Sequence, residues 1–134
     1  MKKLALFVTL LLMATVLQAE TLVGTFSGKL RGTNTKDTHS LDLTKGEYRY
    51  ELKLTGAKRA RAKLKISQRR LSGIKKHLLT AKKLKSRRTH EGTFNIEVRG
   101  VVGQNTQGTR ETKFVVSKKA GNREIDYTLK IYKK

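Results

Sequence analysis

Between Glu47 and Leu54 the chain alternates without a break. Tyr48, Tyr50, Leu52 and Leu54 take every second position, and Glu47, Arg49, Glu51 and Lys53 fill the positions between. Successive side chains of a strand project to opposite faces, so this pattern puts the apolar four on a core and the charged four in water. A helix would scatter both sets around its axis. The same period recurs three times. Ala62, Leu64 and Ile66 alternate with Arg61, Lys63 and Lys65. Phe94, Ile96 and Val98 alternate with Thr93, Asn95, Glu97 and Arg99. Ile125, Tyr127, Leu129 and Ile131 alternate with Glu124, Asp126, Thr128 and Lys130. Weaker runs around Leu22–Leu30, His39–Leu43 and Thr112–Ser117 add further strands. Lys45-Gly46, Thr55-Gly56, Glu91-Gly92, Gly103–Gly108 and Ala120-Gly121-Asn122 carry turn chemistry between the runs. The predicted class is all-β: a small antiparallel β-sandwich or jelly roll of about seven to eight strands.

Leu71 to Lys85 fits two descriptions. Leu71, Ile74, Leu78 and Ala81 stand three or four apart, as on a basic amphipathic helix. The same stretch also reads as a strand over His77–Ala81 followed by a basic loop, which the β character of the rest of the chain favours.

The first residues read as an address rather than as part of the fold. Met1-Lys2-Lys3 is a short positive region, and the apolar run Leu4–Leu17 is broken only by Thr9 and Thr15. Ala19 offers a small residue at a cleavage point before Glu20. That is the layout of a secretory signal peptide, and the run is shorter than the roughly 20 residues of a membrane-spanning helix. The expected organisation is a signal over residues 1–19 and one domain over 20–134, exported by a Sec-type route to the periplasm or beyond. The 134 residues contain no cysteine. Disulfides, thiolate chemistry and lipid anchoring on a cysteine are therefore excluded, and sheet pairing and packing must hold the domain together.

Three segments carry a resemblance to a known family. Leu43-Thr44-Lys45-Gly46-Glu47-Tyr48-Arg49-Tyr50-Glu51-Leu52 resembles the opening strand of the bacterial pre-peptidase C-terminal domain, with its leucine, glycine, aromatic and alternating order. Glu91-Gly92-Thr93-Phe94-Asn95-Ile96-Glu97-Val98 is similar to that family's Gly-Thr-aromatic strand. Asp126-Tyr127-Thr128-Leu129-Lys130-Ile131 is similar to its closing strand. The resemblance covers roughly Thr38 to Tyr132 and implies a jelly-roll sandwich of secreted proteins, used as a non-catalytic accessory or binding module. The family often has aspartates in its central strand. Here that strand reads Arg61-Ala62-Lys63-Leu64-Lys65-Ile66, so no cation-binding role carries over.

Charge gives the functional lead. Lys and Arg number 31 against 10 Asp and Glu, a formal net charge of +21. No acid occurs between Glu51 and Glu91, an interval that opens with Lys53 and continues with the set Lys58, Arg59, Arg61, Lys63, Lys65, Arg69, Arg70, Lys75, Lys76, Lys82, Lys83, Lys85, Arg87 and Arg88. Like charges at period two on one strand face repel one another, and a bound polyanion would relieve that cost. These residues are the candidate anion-binding set. The expected ligand is an anionic polymer or membrane surface: lipopolysaccharide, anionic lipid, acidic glycan or extracellular nucleic acid. The alternative is a protein-interaction module with an acidic protein partner, in which a few hot-spot residues would dominate.

Catalysis finds little to work with. His39, His77 and His90 are the only histidines, without the spacing of a metal site. Ser40, His39 and Asp42 contain the elements of a nucleophilic triad, but neighbours on a strand point to opposite faces. Glu47 and Glu51 share a face, yet they stand among Arg49 and Lys53, where cross-strand salt bridges are the expected role. Tyr48 and Tyr50 belong to the core face, while Tyr132 breaks the parity of its strand and is expected to be exposed. The chain is expected to be a non-enzyme with no cofactor and no metal.

Overall fold

The computed structural model describes residues 20–69, 75–98, 108–119 and 121–134. The expected signal over residues 1–19, Arg70, Leu71, Ile74, Arg99 and most of the expected Gly103–Gly108 turn lie outside the described residues. Eight strands follow one another: β1 (Thr21–Gly32), β2 (Lys36–Thr44), β3 (Gly46–Gly56), β4 (Arg61–Arg69), β5 (Lys75–Lys85), β6 (Arg88–Ile96), β7 (Thr109–Lys118) and β8 (Gly121–Lys133). They form two antiparallel four-stranded sheets, β1-β8-β3-β6 and β2-β7-β4-β5.

The first four strands pair with the last four in reverse order: β1 with β8, β2 with β7, β3 with β6 and β4 with β5. Two further pairings, β3 with β8 and β4 with β7, complete the sheets. A long antiparallel ribbon wrapped in this way is a jelly roll. Only the β4–β5 connection stays within one sheet. Every other connection arches from one sheet to the other. The antiparallel directions bring the β1–β2, β3–β4, β5–β6 and β7–β8 arches to one end of the sandwich.

The alternating residues fill the space between the sheets. Tyr48, Tyr50, Leu52 and Leu54 on β3 are buried, as are Ile125, Tyr127, Leu129 and Ile131 on β8. Phe94 and Ile96 on β6 join them from the same sheet, and Ala62, Leu64 and Ile66 on β4 face them from the other, with Phe114 and Val116 on β7. Each fully buried Leu, Ile or Phe contributes about 1.5–3 kcal/mol, which is how a cysteine-free domain of this size holds together. Gln68 is a buried amide among them. It donates to the Glu97 carbonyl and accepts from the Glu97 amide, so its burial is compensated.

The Leu71–Lys85 ambiguity resolves as a strand over its described part. β5 runs to Lys85, so the expected basic loop after Ala81 is absent. The helix-like spacing has a physical cause. Two bulges interrupt the pairing of β5 with β4, one at Leu78 and one at Lys82-Lys83. Each inserts one extra residue and shifts the parity. Leu79, Ala81 and Leu84 therefore oppose Ile66, Leu64 and Ala62 despite their uneven spacing. Lys83 takes up the second bulge with φ 56.

Candidate functional site

The single basic stretch of the sequence is distributed over three places. Lys63 and Lys65 stand exposed on the outer face of β4, opposite the Lys82-Lys83 bulge and Thr80 on β5. A second group lies toward the other end of this sheet, where carboxylates answer it. Arg69 pairs with Glu111 at 3.5 Å and Lys76 with Glu97 at 2.8 Å, beside Lys75. Lys58, Arg59, Arg61, Lys85, Arg87 and Arg88 form the third group, at the arch end. Arg70 lies outside the described residues.

At the arch end the fold adds cations that sequence reading did not find. Arg31 and Lys36 flank the β1–β2 arch, and Lys118, Lys119 and Arg123 flank the β7–β8 arch. They come from parts of the chain that also contain acids, so no charge run marks them. Two carboxylates stand among these arch residues: Glu124, which Arg31 holds at 3.3 Å, and Asp37, which accepts from the Tyr127 hydroxyl. Knowledge of the strand pairing, which brings Gly32 opposite Gly121, would have been needed to find them.

The arches are stitched to one another. The Ser86 amide donates to the Ala60 carbonyl at 3.0 Å, and its buried hydroxyl donates to the Ala57 carbonyl. Arg87 Nε donates to the Gly56 carbonyl at 3.0 Å and Arg123 Nη1 to the Arg59 carbonyl at 2.9 Å. The Lys118 amide reaches the Thr35 carbonyl at 2.8 Å, and the Ala57 amide the Glu124 carbonyl at 3.0 Å. Gly56 makes the last contact feasible. Its φ is 125°, and a Cβ there would stand 2.4 Å from the Glu124 carbonyl oxygen. The cations of this end are thus displayed on a frame whose carbonyls are already satisfied, so a ligand need not order it.

The outer face of the other sheet is balanced by contrast. Arg49 pairs with Glu20 at 2.9 Å, Glu91 at 3.1 Å and Glu51 at 3.4 Å, and its guanidinium lies 4.4 Å from the centre of the Tyr132 ring. Tyr132 is therefore half-buried beneath Arg49 rather than freely exposed. Glu47 pairs with Lys134 at 3.5 Å. Both carboxylates weighed for acid–base work thus sit in salt bridges, Glu47 with Lys134 across to the end of β8 and Glu51 with Arg49 on its own strand.

Nor do Ser40, His39 and Asp42 converge. Ser40 and Asp42 are exposed on the outer face, and Ser40 reaches Glu111 at 3.5 Å. His39 points inward, where its ring stacks on Phe26 at 4.7 Å. Its Nε2 meets the Tyr127 hydroxyl, which donates to Asp37 Oδ2 at 2.8 Å. With its one proton committed to Asp37, the phenol accepts from His39. Burial, with the Asp37 carboxylate adding to it, pushes the Tyr127 phenol well above its usual range. Among the described residues no group of His, Asp and Glu is placed to hold a metal.

No family model and no curated protein matches the sequence. Solved structures do match the fold. The pre-peptidase C-terminal domain of a collagenase from Bacillus anthracis superposes with a TM-score of 0.51 at 13% identity, covering 83% of this chain and 90% of that one. TmCBM61, solved with β-1,4-galactotriose, is similar at a TM-score of 0.45 and 16% identity over 84% of this chain and 67% of that one. The carbohydrate-binding module CBM29-2, as its K85A mutant, is similar at 0.43 and 12% identity, over 86% and 76%. Identities this low speak to architecture alone. At that level the resemblance read from Leu43–Leu52, Glu91–Val98 and Asp126–Ile131 holds: this chain has a jelly-roll sandwich like that of the pre-peptidase C-terminal domain.

Proposed function

We propose that the protein is an exported, non-catalytic binding module that holds an anionic polymer or surface against its arch end and the adjoining Lys63–Lys65 face. The supporting observation is the gathering of cations from four separate arches onto one braced end, where the carboxylates of Glu124 and Asp37 are far outnumbered. Their fields add, and the mutual repulsion built into the folded state falls when a polyanion arrives. Phosphate, sulfate and carboxylate groups all satisfy that requirement. Lipopolysaccharide, anionic lipid, acidic glycan and extracellular nucleic acid are therefore the ligand classes to screen.

The test replaces Lys82, Lys83, Lys85, Arg87 and Arg88 together with glutamine. The expected outcome is loss of binding to the preferred polyanion with the far-UV circular dichroism spectrum intact. Unchanged binding removes the assignment. Binding to an acidic protein in a manner dominated by one or two of these side chains would instead favour a protein-interaction module.

A further inference from the structure

Beside the arch end lies a cleft of about 350 Å³ lined by Lys53, Leu54, Thr55, Arg87, Arg88 and Thr89. We infer that this cleft is a discrete subsite for a phosphate monoester, a compact dianionic tetrahedral group. The inference rests on the polyanion reading and sharpens it, because it asks for one chemical group rather than for charge in general. Lys53 opens the acid-free interval but stands apart from the Lys58–Arg88 set, and the two threonines carry no charge at all.

Three observations carry it. The first is composition: three cations and two hydroxyls border one shallow, open depression. Lys53 and Thr89 are direct cross-strand partners on β3 and β6, and Leu54 opposes Arg88 in the next register position. The second is that the donors are uncommitted. Lys53, Arg88 and Thr89 have no hydrogen-bond or ion-pair partner among the described residues, and Thr55 makes only a long 3.5 Å contact to the Asp126 carbonyl. The third is the posture of Arg87. Its backbone is left-handed, with φ 61, a conformation that glycine adopts far more readily. The Nε–Gly56 bond fixes its guanidinium by one edge, so both terminal nitrogens are left to point at a ligand. A planar fork fixed in this way can hold two oxygens of one phosphate, whereas a solvated lysine supplies only a point charge. A residue kept in an unfavourable backbone state where glycine would serve is expected to contribute through its side chain.

The experiment titrates 15N-labelled protein with methyl phosphate, sulfate and acetate at matched ionic strength and pH about 8, where the monoester is dianionic. The expected result is saturable shifts for methyl phosphate, confined to the amides of Lys53, Thr55, Arg87, Arg88 and Thr89, with acetate silent. Arg87→Gly should weaken that binding roughly tenfold while leaving thermal stability unchanged or raised. Should Arg87→Gly fold poorly, Arg87→Lys should give the loss in a folded protein. Thr89→Val should erode the preference for phosphate over sulfate. Vesicles of phosphatidic acid and free glucose 6-phosphate then separate a lipid source of the monoester from a sugar one. Equal, unsaturable shifts for all three anions would overturn the subsite, and would leave the polyanion reading standing if a heparin-like glycan still bound. Loss of glycan binding as well would remove the reading on which the subsite rests.

Discussion

The arch end and the flat face can be separated by their response to salt. Lys58, Arg59 and Lys119 are exposed on the arches, and their side chains have no partner among the described residues. Replacing them with glutamine removes charge without touching the frame, since only the backbone carbonyl of Arg59 is used by Arg123. Lys63, Lys65 and Lys82 provide the matching triple on the face. A polymer strand crossing the arch end meets about half of its cations, roughly five. At about 0.7 counterion released per contact the expected slope of log K against log salt is near −3.5. Raising salt from about 50 to about 200 mM should then weaken binding roughly 100-fold. With the arch triple neutralised about two contacts remain, and the same change of salt should cost only roughly sevenfold. The face triple adjoins that path and should reduce the slope by about 0.7, the worth of one contact. The assay is fluorescence anisotropy with a labelled heparin-like glycan over a salt series. A slope that falls equally for both triples would refute the arch end as the principal contact. A slope that moves for neither would refute electrostatic binding by this surface altogether.

Two further outcomes test the fold on which this rests. Tyr127→Phe removes a phenol bonded to both Asp37 and His39 and should cost about 1–3 kcal/mol in urea denaturation. Because the folded state raises the Tyr127 pKa above the unfolded value of 10.0, its contribution is complete below that pH and is lost as pH rises beyond it. The variant should therefore show a shallower alkaline loss of stability than the parent, and an identical alkaline limb would contradict the assignment. Leu64→Ala, at a fully buried position in the middle of β4, should destabilise by about 2–5 kcal/mol with no change in polyanion binding at neutral pH. A cost below about 1 kcal/mol would mean the two sheets are less tightly packed than described.

Where the parity of the side chains was intact, the fold was legible in the sequence. β3, β4, β6 and β8 were readable because buried apolar residues on them alternate with polar or charged ones that are less buried. β5 was not, because its bulges at Leu78 and Lys82-Lys83 turn a spacing of two into a spacing of three and imitate a helix. The arch end was half legible. Lys58, Arg59, Arg61, Lys85, Arg87 and Arg88 announced themselves through the absence of acids around them. Arg31, Lys36, Lys118, Lys119 and Arg123 join them only through the pairing of β1 with β8 and β2 with β7, which separates partners by most of the chain. His39 was likewise unreadable as a core residue, since its partner Tyr127 lies on another sheet and 88 positions away. Charge and period are local properties, whereas the braced arches are a product of topology.

The place of β8 has a consequence for how the chain comes into being. This strand is the latest in chain order, yet it lies between β1 and β3 in the interior of its sheet. Until its 13 residues have emerged from the ribosome, β1 has no neighbour in its sheet, and the core lacks Ile125, Tyr127, Leu129 and Ile131. The β2-β7-β4-β5 sheet can pair without β8, but the other sheet stays incomplete, and its closure requires contacts between opposite ends of the polypeptide, a slow search. Until then a formal net charge of +21 spread along the chain opposes its premature collapse.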